Sequence, residues 1–306
     1  MYFRFPSRLV RGSPQAQPLR TNQNRKKQQA ANDDNRSKPE SVLKELNGLI
    51  GLSEVKSLVS EVSAYVQIQR RREKALLHTE HLVLHMIFKG NPGTGKTTVA
   101  RIMGKLLYSM EVLSQGQLIE VERADLVGEY IGHTAHKTRE QIKKAMGGIL
   151  FIDEAYSLAR GGTKDFGKES IDVLVKAMED YQRDFVLILA GYKGEMEWFL
   201  HSNPGLYSRF PIYISFSDYT VVELLQIGEL MLKQRQYRLL PEARTALRKI
   251  LEEKNRSGSE NEGNARLVRN LIEKAIRRQA VRLVKRQRLS REELMLIRPE
   301  DFDQGR

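Results

Sequence analysis

The 306-residue sequence predicts an α/β fold: a core with a five-stranded parallel sheet, an all-helical C-terminal part and a basic N-terminal arm. Five short apolar runs alternate with segments of helical periodicity, which favours a parallel sheet with helices on both faces. Strand-like runs stop after residue 216, and large apolar residues are scarce before residue 41. We therefore predict a disordered arm over 1–40, an α/β core over 41–216 and a helical part over 217–306.

The N-terminal arm carries much of the net charge of +13. Residues 1–38 contain nine lysines and arginines but only two acidic residues, Asp33 and Asp34. A segment of this composition buries too little apolar surface to fold, so we expect a disordered, solvated tail. It lacks the apolar core of a secretory signal, which leaves an organellar transit peptide or binding to an anionic surface as alternatives.

The overall composition is that of an ordinary globular protein, with 40% hydrophobic and 29% charged residues. No run approaches the roughly 18 consecutive apolar residues that a membrane helix requires, so no membrane segment is expected. The sequence has no cysteine, which excludes disulfides and thiolate metal sites and is consistent with a reducing compartment. We expect a cytoplasmic location.

The five apolar runs define the predicted strands of the core. They are LHMIFKG (84–90), QLIEVE (117–122), GGILFID (147–153), FVLILAGY (185–192) and PIYISF (211–216). The third run is almost wholly apolar, as expected of a strand whose sheet is covered on both faces. Helices are predicted between the strands and before them: residues 41–77 with breaks at Gly48 and Gly51, then 99–110, 134–146 and 168–181.

Capping patterns define the helices of the C-terminal part. Thr220-x-x-Glu223 is a capping box, and Pro241 suits the first turn of a second helix. A third helix is predicted over 264–288, and Ser290 begins a second capping box, which predicts a short fourth helix.

The run GNPGTGKT (90–97) matches the phosphate-binding pattern G-x-x-x-x-G-K-[ST] and lies between a predicted strand and a predicted helix. Its glycines let backbone N–H groups face phosphate oxygens, and the helix that follows adds its positive dipole end. Lys96 would reach the β- and γ-phosphates, and the Thr97 hydroxyl would bind Mg²⁺. The predicted nucleotide-binding residues here are Gly90, Asn91, Pro92, Gly93, Thr94, Gly95, Lys96, Thr97 and Thr98.

An acidic pair follows the third strand, in ILFIDE (149–154). The carboxyl ends of strands are where ligands bind in an open parallel sheet. Asp153 is expected to hold Mg²⁺, directly or through water, and Glu154 to orient or deprotonate the attacking water. Together with the phosphate-binding run, this pair predicts an enzyme that hydrolyses ATP with Mg²⁺.

Residues 41–300 resemble the AAA+ ATPases, and more specifically the CbxX/CfxQ family, which includes red-type rubisco activases and a sporulation protein. The resemblance rests on GNPGTGKTTVARIMGKL, ADLVGEYIGHTAHKTRE, GGILFIDEAYSLARGGTKDFGKESIDVLVKAMED, LILAGY, NPGLYSRFP and GNARLVRN. It implies a homo-hexameric ring with a C-terminal helical lid, in which Arg209 of one subunit reaches the γ-phosphate held by the next. It also implies that Arg266 contacts the nucleotide from the lid.

The resemblance further implies that the ring threads a polypeptide client through its pore. The gripping trio would be Tyr130, Ile131 and Gly132, and residues 159–168 would form a second pore loop. Residues 48–52 resemble the segment that packs around adenine. The sequence departs from the family pattern at Tyr192, since AAA+ proteins commonly carry a polar sensor residue there, often asparagine. Tyr192 is either that sensor or a packing residue.

Three classes of function follow from these patterns. The first is an ATP-driven protein remodeller, of the sporulation type or, alternatively, a rubisco activase. The second is a nucleic-acid-linked ATPase, suggested by the charge and by a basic run over 277–288. We disfavour nucleic acid as a partner because no helix-turn-helix, zinc module or aromatic-studded basic strand is evident. The third, a scaffold that binds nucleotide without hydrolysis, is disfavoured by the complete set of catalytic candidates.

Overall fold

The computed structural model describes residues 38–79, 82–130, 132–160, 166–256 and 263–302. The predicted disordered arm lies outside these ranges except for its last three residues. Among the described residues, no helix has both the length and the apolar character needed to cross a membrane.

Five parallel strands form the central sheet, as predicted. They are β1 (Met86–Gly90), β2 (Leu118–Val121), β3 (Ile149–Ile152), β4 (Val186–Gly191) and β5 (Ile212–Phe216). Their order in the sheet is β2-β3-β4-β1-β5, with every neighbouring pair parallel. Because all carboxyl ends of parallel strands lie at one edge, the loops after β1 and β3 open on the same side of the molecule.

Both faces of the sheet are buried, which explains the almost continuous apolar character of its strands. In β3, Ile149 and Phe151 pack into one hydrophobic cluster, whereas Leu150 and Ile152 pack into another. This division follows from the alternation of side chains along a strand. All four residues of β3 are buried, so the end of this strand is a rigid base for the acidic pair that follows.

Helices cover the two faces of the sheet, and most of the longer ones match the predicted segments. The helical elements of the core are α1 (Pro39–Asn47), α2 (Ser53–Lys74), α3 (Lys96–Ser109), α4 (Arg123–Leu126), α5 (His133–Ala145), a 3-10 turn (Ala155–Ala159), α6 (Gly167–Asp180), α7 (Lys193–His201) and α8 (Pro204–Tyr207). Four of them were not predicted: α4, α7, α8 and the 3-10 turn.

The C-terminal part is a helical lid with a hydrophobic core of its own. Leu247, Val268 and Ile272 are completely buried at its centre. The elements of the lid are α9 (Val221–Gln234), β6 (Arg238–Leu239), α10 (Pro241–Arg256), α11 (Asn264–Val284), α12 (Arg291–Met295), β7 (Leu296–Ile297) and a 3-10 turn (Pro299–Asp301). The sequence did not suggest the short parallel pair β6–β7 or this turn, and α11 ends four residues before its predicted end.

The turn between α1 and α2 contacts both the core and the lid. Leu49 and Leu52 pack against the hydrophobic core of the sheet, whereas Ile50 packs against the core of the lid. A Cβ atom placed on Gly95 would lie 3.6 Å from Leu52 Cδ1, so this turn runs beside the phosphate-binding run. The position is consistent with the predicted contact of residues 48–52 with adenine, which stays a prediction.

Candidate active site

The phosphate-binding run forms the P-loop between the end of β1 and the start of α3. Lys96 is the first residue of α3, and its Nζ donates to the carbonyl oxygens of Gly90 at 2.7 Å and Asn91 at 2.9 Å. The buried Thr94 hydroxyl donates to the same Asn91 carbonyl at 2.8 Å. The loop therefore curls around its own lysine at the N-terminus of a helix, where anions bind favourably.

A cavity of about 350 Å³ adjoins this loop and brings most of the predicted site residues together. It lies between the P-loop, the end of β3, the end of β4 and the first turns of α11 in the lid. The predicted residues that line it are Pro92, Gly93, Gly95, Lys96, Thr97, Thr98, Asp153, Glu154, Tyr192 and Arg266.

Charges of both signs converge on this cavity. Burial lowers the pKa of Lys96, and the nearby cation Arg266 lowers it further, while Asp153 and Glu154 act in the opposite direction. Two cations that approach one another are stabilised by an anion between them, and two carboxylates at the same site favour a divalent cation. The arrangement suits a polyphosphate with a bound metal ion.

The acidic pair is held by an unusual backbone conformation. Glu154 has a φ of +47°, in the left-handed region that residues other than glycine rarely adopt. Its N–H donates to Asp153 Oδ1 at 3.0 Å. Such a conformation costs about 1–3 kcal/mol, and residues that adopt it are often found at active sites. Here the turn allows two successive carboxylates to line the same cavity.

Tyr192 lies between the cavity and the hydrophobic core. Its ring is half-buried, with its centroid 6.0 Å from that of Tyr156. Burial raises the pKa of Tyr192, and the negative charge of Glu154 raises it further, so the hydroxyl stays protonated. Tyr192 thus both packs and borders the acidic pair.

Comparison with known proteins assigns this architecture to a family. Residues 86–217 match the ATPase family associated with various cellular activities (AAA), and residues 220–306 match the AAA lid domain. The chain is 55% identical to stage V sporulation protein K of Bacillus subtilis (strain 168) over 260 residues, covering 85% of this chain and 81% of that protein. The chain belongs to the CbxX/CfxQ family of AAA+ ATPases.

Other members of the family are nearly as similar. Protein CbbX of Cereibacter sphaeroides is 48% identical over 244 residues, covering 79% of this chain and 78% of that one. The chloroplastic ribulose bisphosphate carboxylase/oxygenase activase of Cyanidioschyzon merolae is 45% identical over 261 residues, covering 84% of this chain and 88% of that one. This AAA+ ATPase is therefore an enzyme that binds and hydrolyses ATP, as the sequence predicted.

Solved structures share the fold at low sequence identity. The RuvB Holliday junction branch migration motor of Thermotoga maritima matches with a TM-score of 0.53 and 22% identity, covering 80% of this chain and 67% of that one. At this identity the likeness shows a common fold only.

Arg209 is the one predicted catalytic residue of this AAA+ ATPase that does not line its cavity. It follows α8, and its guanidinium contacts the Glu179 carboxylate at the end of α6 and donates to the Gly205 carbonyl oxygen at 2.6 Å. Its Nε is buried and makes no hydrogen bond within the described part of the chain. Arg209 is thus held by two partners outside the cavity that contains the other predicted catalytic residues.

The predicted pore loop has an exposed tip and a fixed base. Tyr130 is 65% exposed, and its ring centroid lies 5.4 Å from that of His133. At the base, the buried Thr134 hydroxyl accepts a hydrogen bond from the Gly128 N–H at 2.9 Å. Ile131 and half of the predicted second pore loop (161–165 of 159–168) lie outside the described residues.

Four polar residues near the cavity were missed at the level of sequence. Arg101 and Arg269 also line the cavity. Arg269 lies three residues after Arg266 on the same helix, so the spacing alone indicates that both side chains lie on one face. Asp218 and Asn264 join the lid to the P-loop through hydrogen bonds, and no local pattern marks them.

Proposed function

We propose that this ATPase acts as a homo-hexameric ring in which Arg209 completes the active site of the neighbouring subunit. The observation that carries the proposal is the position of Arg209, outside the cavity of its own subunit and beside an exposed surface. An arginine supplied in trans stabilises negative charge in the transition state of phosphoryl transfer. In the ring, Arg209 would replace its bonds to Glu179 and Gly205 with bonds to phosphate oxygens of the nucleotide that the neighbouring subunit binds.

The surface around Arg209 supports a subunit interface there. His201, Tyr207 and Tyr213 form a chain of aromatic contacts, with centroids 6.5 Å and 6.1 Å apart along it. Tyr207, two residues before Arg209, is 56% exposed, and the nearby helix α7 carries Trp198 at 52% exposure. Aromatic residues are enriched in protein interfaces, and an adjacent arginine fits the same pattern.

Within the cavity, each residue has a proposed role. Lys96 and Arg266 bind phosphate oxygens, and Glu154 orients and deprotonates the attacking water. The Thr97 hydroxyl and Asp153 would hold Mg²⁺. No group of three or more His, Cys, Asp or Glu side chains among the described residues could hold a metal ion. This donor set fits Mg²⁺, which proteins commonly hold through one or two oxygens with phosphates and water as the other ligands.

We further propose that Tyr130, Ile131 and Gly132 grip a polypeptide client. The exposed ring of Tyr130 offers apolar contact area that does not select for particular client side chains, which suits an extended polypeptide of any sequence. Relatives named as a sporulation protein and as a rubisco activase suggest two kinds of client. The 55% identity to the sporulation protein favours that setting, and activation of inhibited rubisco in vitro would instead indicate an activase.

The structure weakens the case for a nucleic-acid-linked ATPase. Two members of the basic run (277–288), which begins on α11 and continues past its end, form ion pairs within the lid. Arg282 bonds Asp301 at 2.9 and 3.0 Å, and Arg286 bonds Glu293 at 2.7 Å. A run whose charges are partly neutralised in this way offers less to a phosphate backbone than its sequence suggests.

A mixing experiment tests the shared active site. The Arg209→Ala variant keeps an intact Glu154, whereas Glu154→Gln keeps an intact Arg209, so each should be inactive alone. In a random 1:1 mixture, about a quarter of the sites combine an intact Glu154 with a neighbour's intact Arg209, and ATPase activity should return accordingly. Arg244→Ala, which removes an exposed arginine of the lid, serves as the matched control and should remain active. A mixture that stays inactive, although native mass spectrometry shows mixed oligomers, would contradict the proposal.

A further inference from the structure

A polar cluster joins the P-loop to the first turn of the lid helix α11. Asn264, at 7% exposure, donates through Nδ2 to Asp218 Oδ1 at 2.7 Å. The same carboxylate accepts two contacts from Asn91 Nδ2 in the P-loop, at 2.9 and 3.1 Å. We call the three residues Asn91, Asp218 and Asn264 the clasp. They come from three separate parts of the sequence and meet at one carboxylate.

The backbone of the P-loop takes part in the same contact. Three successive carbonyl oxygens of the loop accept hydrogen bonds from the lid or from the segment that leads into it. Pro92 O accepts from Asn264 Nδ2 at 3.3 Å, Gly93 O from the Ala265 N–H at 3.2 Å, and Thr94 O from the Tyr219 hydroxyl at 3.1 Å. Burial, with a further contribution from Glu223, raises the pKa of Tyr219 to about 12, so this hydroxyl remains a donor at physiological pH.

The residue type at position 264 is closely specified. Asn264 has a φ of +61°, a left-handed conformation that asparagine tolerates better than most residues. Its amide donates to Asp218 and Pro92 while its Oδ1 accepts from the Tyr219 N–H at 2.9 Å. An aspartate there would place a second carboxylate against Asp218, and an alanine would offer neither donor nor acceptor. An asparagine supplies both the backbone conformation and the bonds.

We propose that Asn264 is a positioning residue for ATP hydrolysis, which acts by holding Arg266 over the phosphate site through the clasp. Arg266 lies two residues after Asn264 in the same helical turn and lines the nucleotide cavity. A Cβ atom on Gly93 would come within 2.9 Å of the Arg266 backbone nitrogen, so loop and lid are in direct contact. Asn264 is buried and hydrogen-bonded to Asp218, Pro92 and Tyr219, whereas Asp218 itself is exposed. Because polar groups that satisfy one another in a partly buried network resist separation, a displacement of the P-loop should move this turn of the lid with it.

The inference rests on the proposed phosphate contact of Arg266 but not on the ring or on the pore loop. The Arg266→Ala variant alone tests that contact, since it should lower kcat. If Arg266→Ala leaves kcat unchanged, the role of Arg266 is wrong; if it lowers kcat while the clasp variants do not, only the clasp is wrong.

A double-mutant cycle in the full chain tests the clasp. Asn264→Gly keeps a residue that accepts positive φ and removes only the side chain, and Asn270→Gly, on an exposed position of the same helix, is the matched control. We expect Asn264→Gly to lower kcat about tenfold, because small misplacements of a phosphate ligand are costly. If Asn264 acts through Arg266, introducing Asn264→Gly into the Arg266→Ala variant should cause no further loss of kcat.

Two results would overturn the clasp. One is a double variant in which the two losses of kcat multiply, because independent sites combine in that way. The other is an Asn264→Gly enzyme whose kcat stays within about twofold of the parent. If Asn264→Gly unfolds the lid, as shown by its thermal midpoint, the same cycle is run with Asp218→Asn. That substitution keeps the size of the side chain and removes the carboxylate that joins the two amides.

Discussion

Two loops at the carboxyl edge of the same sheet are built in opposite ways. The P-loop is closely packed: Thr94 is completely buried, three successive carbonyls are bonded, and the backbone of the lid lies against Gly93. In the predicted pore loop, by contrast, Tyr130 is largely exposed and a Cβ atom on Gly132 would meet nothing within 4 Å.

The difference follows from the proposed work of each loop. Transition-state stabilisation requires donors and charges that are already in place, because reorganisation during the reaction would cost energy. A loop that holds polypeptides of many sequences gains from a free tip, where one aromatic ring adapts to successive side chains. Substitutions should therefore affect turnover and stability in the first loop, and only client-dependent work in the second.

The largest expected effect is on turnover at the nucleotide site. Glu154→Gln keeps the size of the side chain but cannot accept a proton, so we expect kcat to fall about 10³-fold, within the range for loss of a general base. ATP binding should be retained, as measured by titration with a fluorescent nucleotide. The same change at the exposed Glu129, in the other loop, is the control and should leave kcat nearly unchanged. Near-normal turnover in Glu154→Gln would remove Glu154 from its proposed role.

A matched pair of glycine substitutions compares the packing of the two loops. Gly93 and Gly132 have φ values of +74° and +80°, so alanine is strained at either position. We expect Gly132→Ala to lower the free energy of unfolding by about 1 kcal/mol, from backbone strain alone. Gly93→Ala adds a collision with the backbone of Arg266 and should cost about 2–3 kcal/mol and weaken ATP binding. Urea denaturation measures both, and equal losses would mean that the two loops are equally constrained.

The smallest effect on the basal reaction is expected for Tyr130→Ala. Because the ring is exposed, its removal should leave the thermal midpoint unchanged and basal ATPase activity within about twofold. What should disappear is the stimulation of turnover by a permanently unfolded polypeptide such as casein. The control is Tyr181→Ala, which removes another exposed tyrosine ring, directly after α6. A Tyr130→Ala variant that unfolds would show that this ring packs as part of the core.

Local patterns were enough to predict the elements that carry the chemistry. Each of these patterns spans only a few residues: the P-loop spacing, the apolar strand before Asp153 and Glu154, and the capping box at Thr220. Such patterns depend on short-range geometry, in which backbone N–H groups, a helix start and a side chain meet without help from the rest of the chain. The five strands and the helical lid followed from periodicity for the same reason.

Short sequence patterns were therefore sufficient to predict the fold class, the ATPase chemistry and the family. Which distant residues meet depends on tertiary packing. The sheet order places β4 between β1 and β3, and so sets Tyr192 between the P-loop and the acidic pair. Arg209 pairs with Glu179. Asp218 meets Asn91, which is 127 residues away along the chain, and Asn264, which is 46 residues away. Contacts of this range depend on how whole elements pack, because burial and polar satisfaction are properties of the assembled molecule rather than of any short segment.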